Sequence, residues 1–309
     1  TLFSADLSGL AVRRFEASFA EGPDAAGFTT MTAPGAPVGI LANGNQGDLI
    51  SRYESHNPHS SADLMGRRLA EGMRRLWDEA GERLTRDVAI GTRWTRMGYE
   101  GQVVDDEGHR VADQALWGLP FLGGAKNGPS PFYQDGTSEG IRRPAELADP
   151  VQGRKVVAGP APWRNDPELQ LARVGDQLVI AVPGEATTET GRRANAAALQ
   201  VAPPGVEDSV LVGLANDYVG YFTTPEEYDQ QHYEGGHTVF GKYTSVLLVH
   251  AGAELVGALA AGEPAPAPAE GRTSPYPPDG GPGGGVGEGA ESGDIVAQPA
   301  CDVARFEVV

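Results

Sequence analysis

A single cysteine, Cys301, stands in 309 residues. That excludes an internal disulfide framework and any zinc cluster built on thiolates. Cations are scarce as well: 24 Lys and Arg face 42 Asp and Glu, a formal charge of −18. Neutralising phosphates takes clustered Lys and Arg, and none appears, so the charge disfavours nucleic acid as a partner and disfavours docking onto anionic headgroups; no nucleic-acid partner is expected. No run of 18 apolar residues occurs, so no transmembrane segment is expected. Only six histidines are present, His56, His59, His109, His232, His237 and His250, with no HExxH and no tight pair on a helix. His56 and His59 read as a solvated loop, and His232 and His237 as surface residues. The chain opens Thr1-Leu2-Phe3-Ser4, with neither an initiator Met nor a signal peptide. Thr1 is therefore expected to be a residue exposed by a cut.

What is present suits a globular chain. Hydrophobic residues make up 40%, enough for a sizeable core. The first 50 residues read as strand, loop, strand, with Val38-Gly39-Ile40-Leu41-Ala42 as a buried strand. Ser60 and Asp63 have capping-box spacing. After them Met65, Leu69, Met73, Leu76, Trp77 and Ala80 form a helical stripe expected in the core. Residues 118–136 form a long Gly/Pro/aromatic loop, a type that is usually functional. Leu169 to Val182 reads as a hairpin turning at Gly175-Asp176. Gly191 to Leu199 reads as a helix, Ser209 to Ala215 as a buried strand, and Pro225 as a helix start. Thr244 to Ala261 is apolar nearly all round, hence a buried helix. From Gly262 to Gly293, 17 of 32 residues are Gly or Pro, too many for that segment to fold alone. The expected domains are 1–261, a Gly/Pro-rich linker or arm at 262–294, and at 295–309 the possible start of a further β domain. The fold class is mixed α/β, a sheet core with helices packed around it.

Three polar loops each follow an apolar strand: Asn45 to Ser51, Pro183 to Thr188, and Asn216 to Tyr221. Sites gather at strand ends because loops converge there. Glu185 directly follows Val179 to Gly184, where a strand leaves the core. Its carboxylate can be a metal ligand, a general base or the N-cap of the next helix.

Val182-Pro183-Gly184-Glu185-Ala186-Thr187-Thr188 with Gly191-Arg192-Arg193 resembles the VPGExTTMxGRR segment of neutral/alkaline ceramidases. Asn216 to Tyr228, continuing through Gln231 to Gly236, resembles that family's NxYxxYxTTPEEYxxQxYEGG block. Gly123 to Phe132 is similar to its AGTxDGPGxFDF loop, and Ser4 to Gly9 to its SGDNKG. These resemblances fall in family order across nearly the whole chain.

The resemblance implies a zinc-dependent amidohydrolase that cleaves the amide of an N-acyl lipid, a ceramide or related long-chain amide. It makes Glu185 and Tyr221 metal ligands. The two family histidines are expected on a segment upstream of Thr1, on an N-terminal polypeptide of the same precursor. The family nucleophile is a Ser in an NxGDxSP loop; here Ile50 occupies that position and Ser51 follows it. Ser51 is thus one candidate nucleophile, with Asp48 as a catalytic partner and Asn45, Gly47 and Tyr218 as substrate-binding residues. Thr1 is the alternative, since a free N-terminal Thr carries its own base and can attack after self-processing. A ceramidase-like binding protein without turnover is a third reading. The resemblance further implies a secreted or cell-envelope (periplasmic) location.

Overall fold

The computed structural model describes residues 6–19, 37–50, 58–82, 84–99 and 101–269. Thr1, Ser51, His56, Cys301, the 295–309 segment and most of the arm lie outside the described residues. The elements are α1 (Asp6–Ala17), α2 (Pro58–Gly81), β1 (Ile90–Arg96), β2 (Leu116–Gly118), α3 (Leu119–Gly123), β3 (Gly124–Ala125), β4 (Gly128–Pro129), β5 (Val157–Pro160), β6 (Glu168–Val174), β7 (Gln177–Ala181), β8 (Glu185–Ala186), α4 (Thr188–Gln200), β9 (Asp208–Val212), β10 (Tyr221–Phe222), α5 (Pro225–Tyr228), α6 (Tyr233–His237) and α7 (Thr244–Ala261). The fold is mixed α/β.

Its centre is a four-stranded sheet in the order β1-β6-β7-β9, antiparallel except for the parallel pair β7 and β9. The β6–β7 hairpin turns at Gly175-Asp176 as expected, with positive φ on Gly175 alone. A parallel neighbour needs a crossover, and α4 supplies it between β7 and β9. Strand alternation sends Leu169, Leu171, Leu178, Ile180 and Leu211 to one face, where they are nearly fully buried. That face packs under α4 and α7, with Leu247, Leu248, Leu255 and Val256 in the same core. Helix α7 is long and apolar enough to cross a membrane by length and composition; in this fold it is the core helix, with His250 and Glu254 on its exposed side. The opposite face of the sheet leaves Ile90, Trp94, Val174 and Val210 exposed. The arm starts as a strap along β1: Arg93 donates to the Glu263 carbonyl, Thr95 to the Pro266 carbonyl, and the Ala269 N–H to Arg96.

Four expectations need correction. The N-terminus is not strand, loop, strand, because Asp6–Ala17 is a helix that buries Ala11 and Phe15. Val38–Ala42 is neither strand nor buried: Val38 and Ile40 are 77% and 84% exposed. It lies near the β9 edge, joined there by one bond from the Gly213 N–H to the Asn43 carbonyl. The stripe on α2 is not core, since Leu76 and Trp77 stay exposed. It serves a local pairing with α1, through edge-on contacts of Trp77 with Phe15 and Phe19. Asp63 caps nothing; it lies inside α2 and pairs with Arg14 and Arg67.

Candidate active site

The site is built on a short parallel ribbon in which β8 and β10 place Glu185 directly beside Tyr221. Glycine permits that approach. A Cβ on Gly184 would lie 2.3 Å from the Gly220 carbonyl oxygen, which accepts the Glu185 N–H at 3.0 Å. Gly220 itself has φ +86°. Glu185 is not the helix cap. Thr187 caps α4 by accepting from Thr190, which leaves the Glu185 carboxylate to accept the Tyr218 hydroxyl at 2.7 Å. Burial, then Glu185, holds the Tyr218 and Tyr221 phenols far above the usual tyrosine range.

Two further loops lock onto the ribbon. Asn45 packs on Gly191 so closely that a Cβ there would sit 1.9 Å from the amide carbon. Gly47 donates its N–H to the Ala186 carbonyl, and Asp48 accepts from both the N–H and hydroxyl of Thr188 at the start of α4. Thus Asn45, Gly47 and Asp48 stand against β8 and the α4 N-terminus, where a carboxylate also complements the helix dipole. Ile50 follows, 61% exposed. Across the ribbon, Thr224 and Glu227 form a capping box on α5, and the same Glu227 oxygen accepts the Thr187 hydroxyl at 2.8 Å. Thr187 and Thr223 also line a cleft of about 650 Å³. Its other walls include Asp48, Lys126, Glu139 and Glu234; burial raises the Glu234 carboxyl above the usual range.

His237 lies in the interior, only 5% exposed, which corrects the surface placement read from the sequence. His232 is exposed as expected. The His237 ring is surrounded by Phe121, Tyr221, Tyr218, Tyr233 and Trp163, with ring centres 4.2 to 6.3 Å away. Neither ring nitrogen has a hydrogen-bond partner. Burial, with a smaller effect of Lys155, pulls the imidazole down to about 4, so it is neutral. Lys155 is itself fully buried behind this wall, donating to the Leu116 and Thr238 carbonyls. Among the described residues no three His, Cys, Asp or Glu side chains gather as a metal site. A metal here would therefore draw on tyrosine oxygen too.

The family model for neutral/alkaline non-lysosomal ceramidase, N-terminal, matches residues 42–250, which include every element of this site. The chain belongs to the neutral/alkaline ceramidase family. The neutral ceramidase of Mycobacterium tuberculosis is 32% identical over 181 residues, covering 53% of this chain and 28% of that protein. The neutral ceramidase of Drosophila melanogaster is 29% identical over 238 residues, covering 66% of this chain and 34% of that protein. Among solved structures, a ceramidase complexed with C2 superposes with a TM-score of 0.67 at 20% identity, covering 89% of this chain and 45% of that one. The neutral ceramidase of Pseudomonas aeruginosa gives 0.62 at 20% identity, with 88% and 43% covered. The ceramidase fold is therefore shared, while the chain spans about a third of the two curated relatives and under half of the two solved structures.

Proposed function

We propose that this chain carries part of the active centre of a zinc-dependent amidohydrolase acting on the amide of a long-chain N-acyl lipid, a ceramide or a close relative. The observation that carries the reading is the registered pair Glu185 and Tyr221, held side by side inside the family-matched region. A carboxylate and a phenol oxygen on adjacent strands fit zinc, which accepts mixed oxygen and nitrogen donors. When bound, zinc would polarise the amide carbonyl or activate the attacking group. The chain's own residues do the rest. Tyr218 orients the Glu185 carboxylate through their 2.7 Å hydrogen bond. Asp48 fixes the loop leading to Ile50 and Ser51 by its two bonds to Thr188. The neighbouring cleft offers room for the polar end of an amphiphile.

Two histidine ligands on an N-terminal polypeptide of the same precursor complete this proposal. The apolar side chains Val38, Ile40, Ile90 and Trp94, exposed here, support a companion chain that covers them. Denaturing mass spectrometry of the native protein should then show a second species, and an active single species of 32.3 kDa would contradict it. A secreted or cell-envelope location belongs to the same proposal.

The reaction adds water across the amide and releases one fatty acid and one amine. Incubating the native protein with an N-acyl sphingoid base should yield both products in equal amounts, and a chelator should stop their release. Chelator-insensitive hydrolysis would remove zinc from the proposal, and no hydrolysis would remove the activity. Replacing Ser51 by Ala, and Thr1 by Ala in the precursor, separates the two nucleophiles: the attacking residue's loss should lower the rate by orders of magnitude. The exposed Ile50 in the nucleophile's position favours one rival, a binding protein without turnover. Zinc uptake with no product would support that rival.

A further inference from the structure

An imidazole buried to this depth with both nitrogens unpaired is rare, because buried polar groups are almost always hydrogen-bonded. No described neighbour of His237 satisfies it. The Tyr218 hydroxyl is committed to Glu185, and the Thr238 hydroxyl to the Glu234 carbonyl and to Thr223. The ring is enclosed by aromatic side chains, and no described group, the neighbouring tyrosine hydroxyls included, bonds to either nitrogen. Its missing partner therefore comes from outside the described residues.

Register points to that partner. Gly220 pairs with Thr238 in an antiparallel bridge, so one step along the two segments Tyr221 adjoins His237. On its other side Tyr221 is in register with Glu185. The Tyr221 and His237 rings stand 5.3 Å apart. Gly220 makes the approach possible: a Cβ there would meet the His237 carbonyl oxygen at 2.4 Å and its ring carbon Cδ2 at 3.3 Å. A carboxylate, a phenol and an unpaired imidazole thus stand in a row across three neighbouring segments.

We propose that His237 is a ligand of the Glu185–Tyr221 centre, so that this chain alone presents one nitrogen and two oxygen donors to a single divalent cation. This rests on the zinc reading above and extends it, since that reading placed every imidazole ligand upstream of Thr1. Zinc accepts imidazole nitrogen beside carboxylate and phenol oxygen, and a mixed imidazole and oxygen set suits zinc or cobalt.

The test measures metal binding by the full 309-residue chain, with zinc in competition with a chromogenic chelator and cobalt(II) as an optical probe. His237→Phe keeps a ring in the aromatic cage and cannot ligate. It should weaken zinc by at least about tenfold and change the cobalt visible spectrum, with the circular dichroism unchanged. Glu185→Gln is the reference for the wider reading. Loss in both variants supports both statements. Loss in Glu185→Gln alone, with His237→Phe matching the wild type, overturns the His237 assignment and leaves the Glu185–Tyr221 reading standing. A wild-type chain that takes up neither metal also overturns it. Should His237→Phe fail to fold, X-ray absorption of the zinc-loaded wild type decides: an imidazole in the zinc shell supports the assignment, and a shell of oxygen alone overturns it.

Discussion

Gly184→Ala tests whether the β8–β10 register is what positions the site. The new Cβ would lie 2.3 Å from the Gly220 carbonyl oxygen and 2.9 Å from a Phe222 ring carbon. An ordinary carbon–oxygen contact is about 3.3 Å, so the two backbones must part by about 1 Å. The Glu185 N–H bond to that oxygen, 3.0 Å in the native ribbon, is then stretched or lost, at about 1 kcal/mol. Phe222 is fully buried, and overpacking such a place costs about 1–3 kcal/mol. Together roughly 2–4 kcal/mol of stability disappears, a fall in Tm on the order of 3–6 °C for a chain of this size. Denaturant titration measures the first quantity and calorimetry the second. Gly159→Ala is the control, because nothing lies within 4 Å of its Cβ; it should stay within about 0.5 kcal/mol of wild type. A Gly184→Ala protein as stable as that control would refute the argument that close approach, rather than chance, keeps glycine there.

Two further outcomes follow from buried polar groups. Glu227→Ala removes the acceptor of the Thr187 hydroxyl and the Thr224 N–H, both at 2.8 Å, and should cost about 1–3 kcal/mol; Glu227→Gln should recover part of it, and an Ala variant as stable as wild type would contradict the linkage. Lys155 is pulled well below its ordinary 10.5 by burial, so between its lowered folded-state value and 10.5 the unfolded chain binds a proton that the folded chain does not. Stability should therefore rise with pH toward about 10, where the buried tyrosines, whose phenols are raised, begin to reverse it as the unfolded chain loses their protons first. Lys155→Met should flatten that rise, and an unchanged slope would contradict it.

Elements with strong local grammar were legible in the sequence. The β6–β7 hairpin follows from two apolar runs around Gly-Asp, and α7 from an apolar stretch that ends at Gly262 in the left-handed conformation. Helix α5 follows from Pro225 after a capping Thr. Other elements are decided by partners distant in the chain. Leu7, Leu10, Ala11 and Phe15 have helical spacing, yet Gly9 and the likeness to a family loop concealed α1. Strand β1, Ile-Gly-Thr-Arg-Trp-Thr-Arg, shows no clean alternation, because one face meets α7 and the arm while the other is open. At the site, the resemblance named Glu185 and Tyr221 together, and the structure sets them in register on β8 and β10. The burial of His237 was not legible, because a histidine ending a five-residue helix gives no periodic signal.

If the Glu185–Tyr221 pair is the working part of an amide-cleaving centre, its carboxylate is indispensable to turnover. Release of fatty acid from an N-acyl sphingoid base by the native protein, measured for wild type against Glu185→Gln, tests it most directly. The substitution keeps the side chain's size and removes the charge that accepts the Tyr218 hydroxyl. Hydrolysis is expected in the wild type, and in the variant a loss of hydrolysis and of bound zinc with the fold intact. A Glu185→Gln protein that holds zinc and cleaves the amide at the wild-type rate would contradict it.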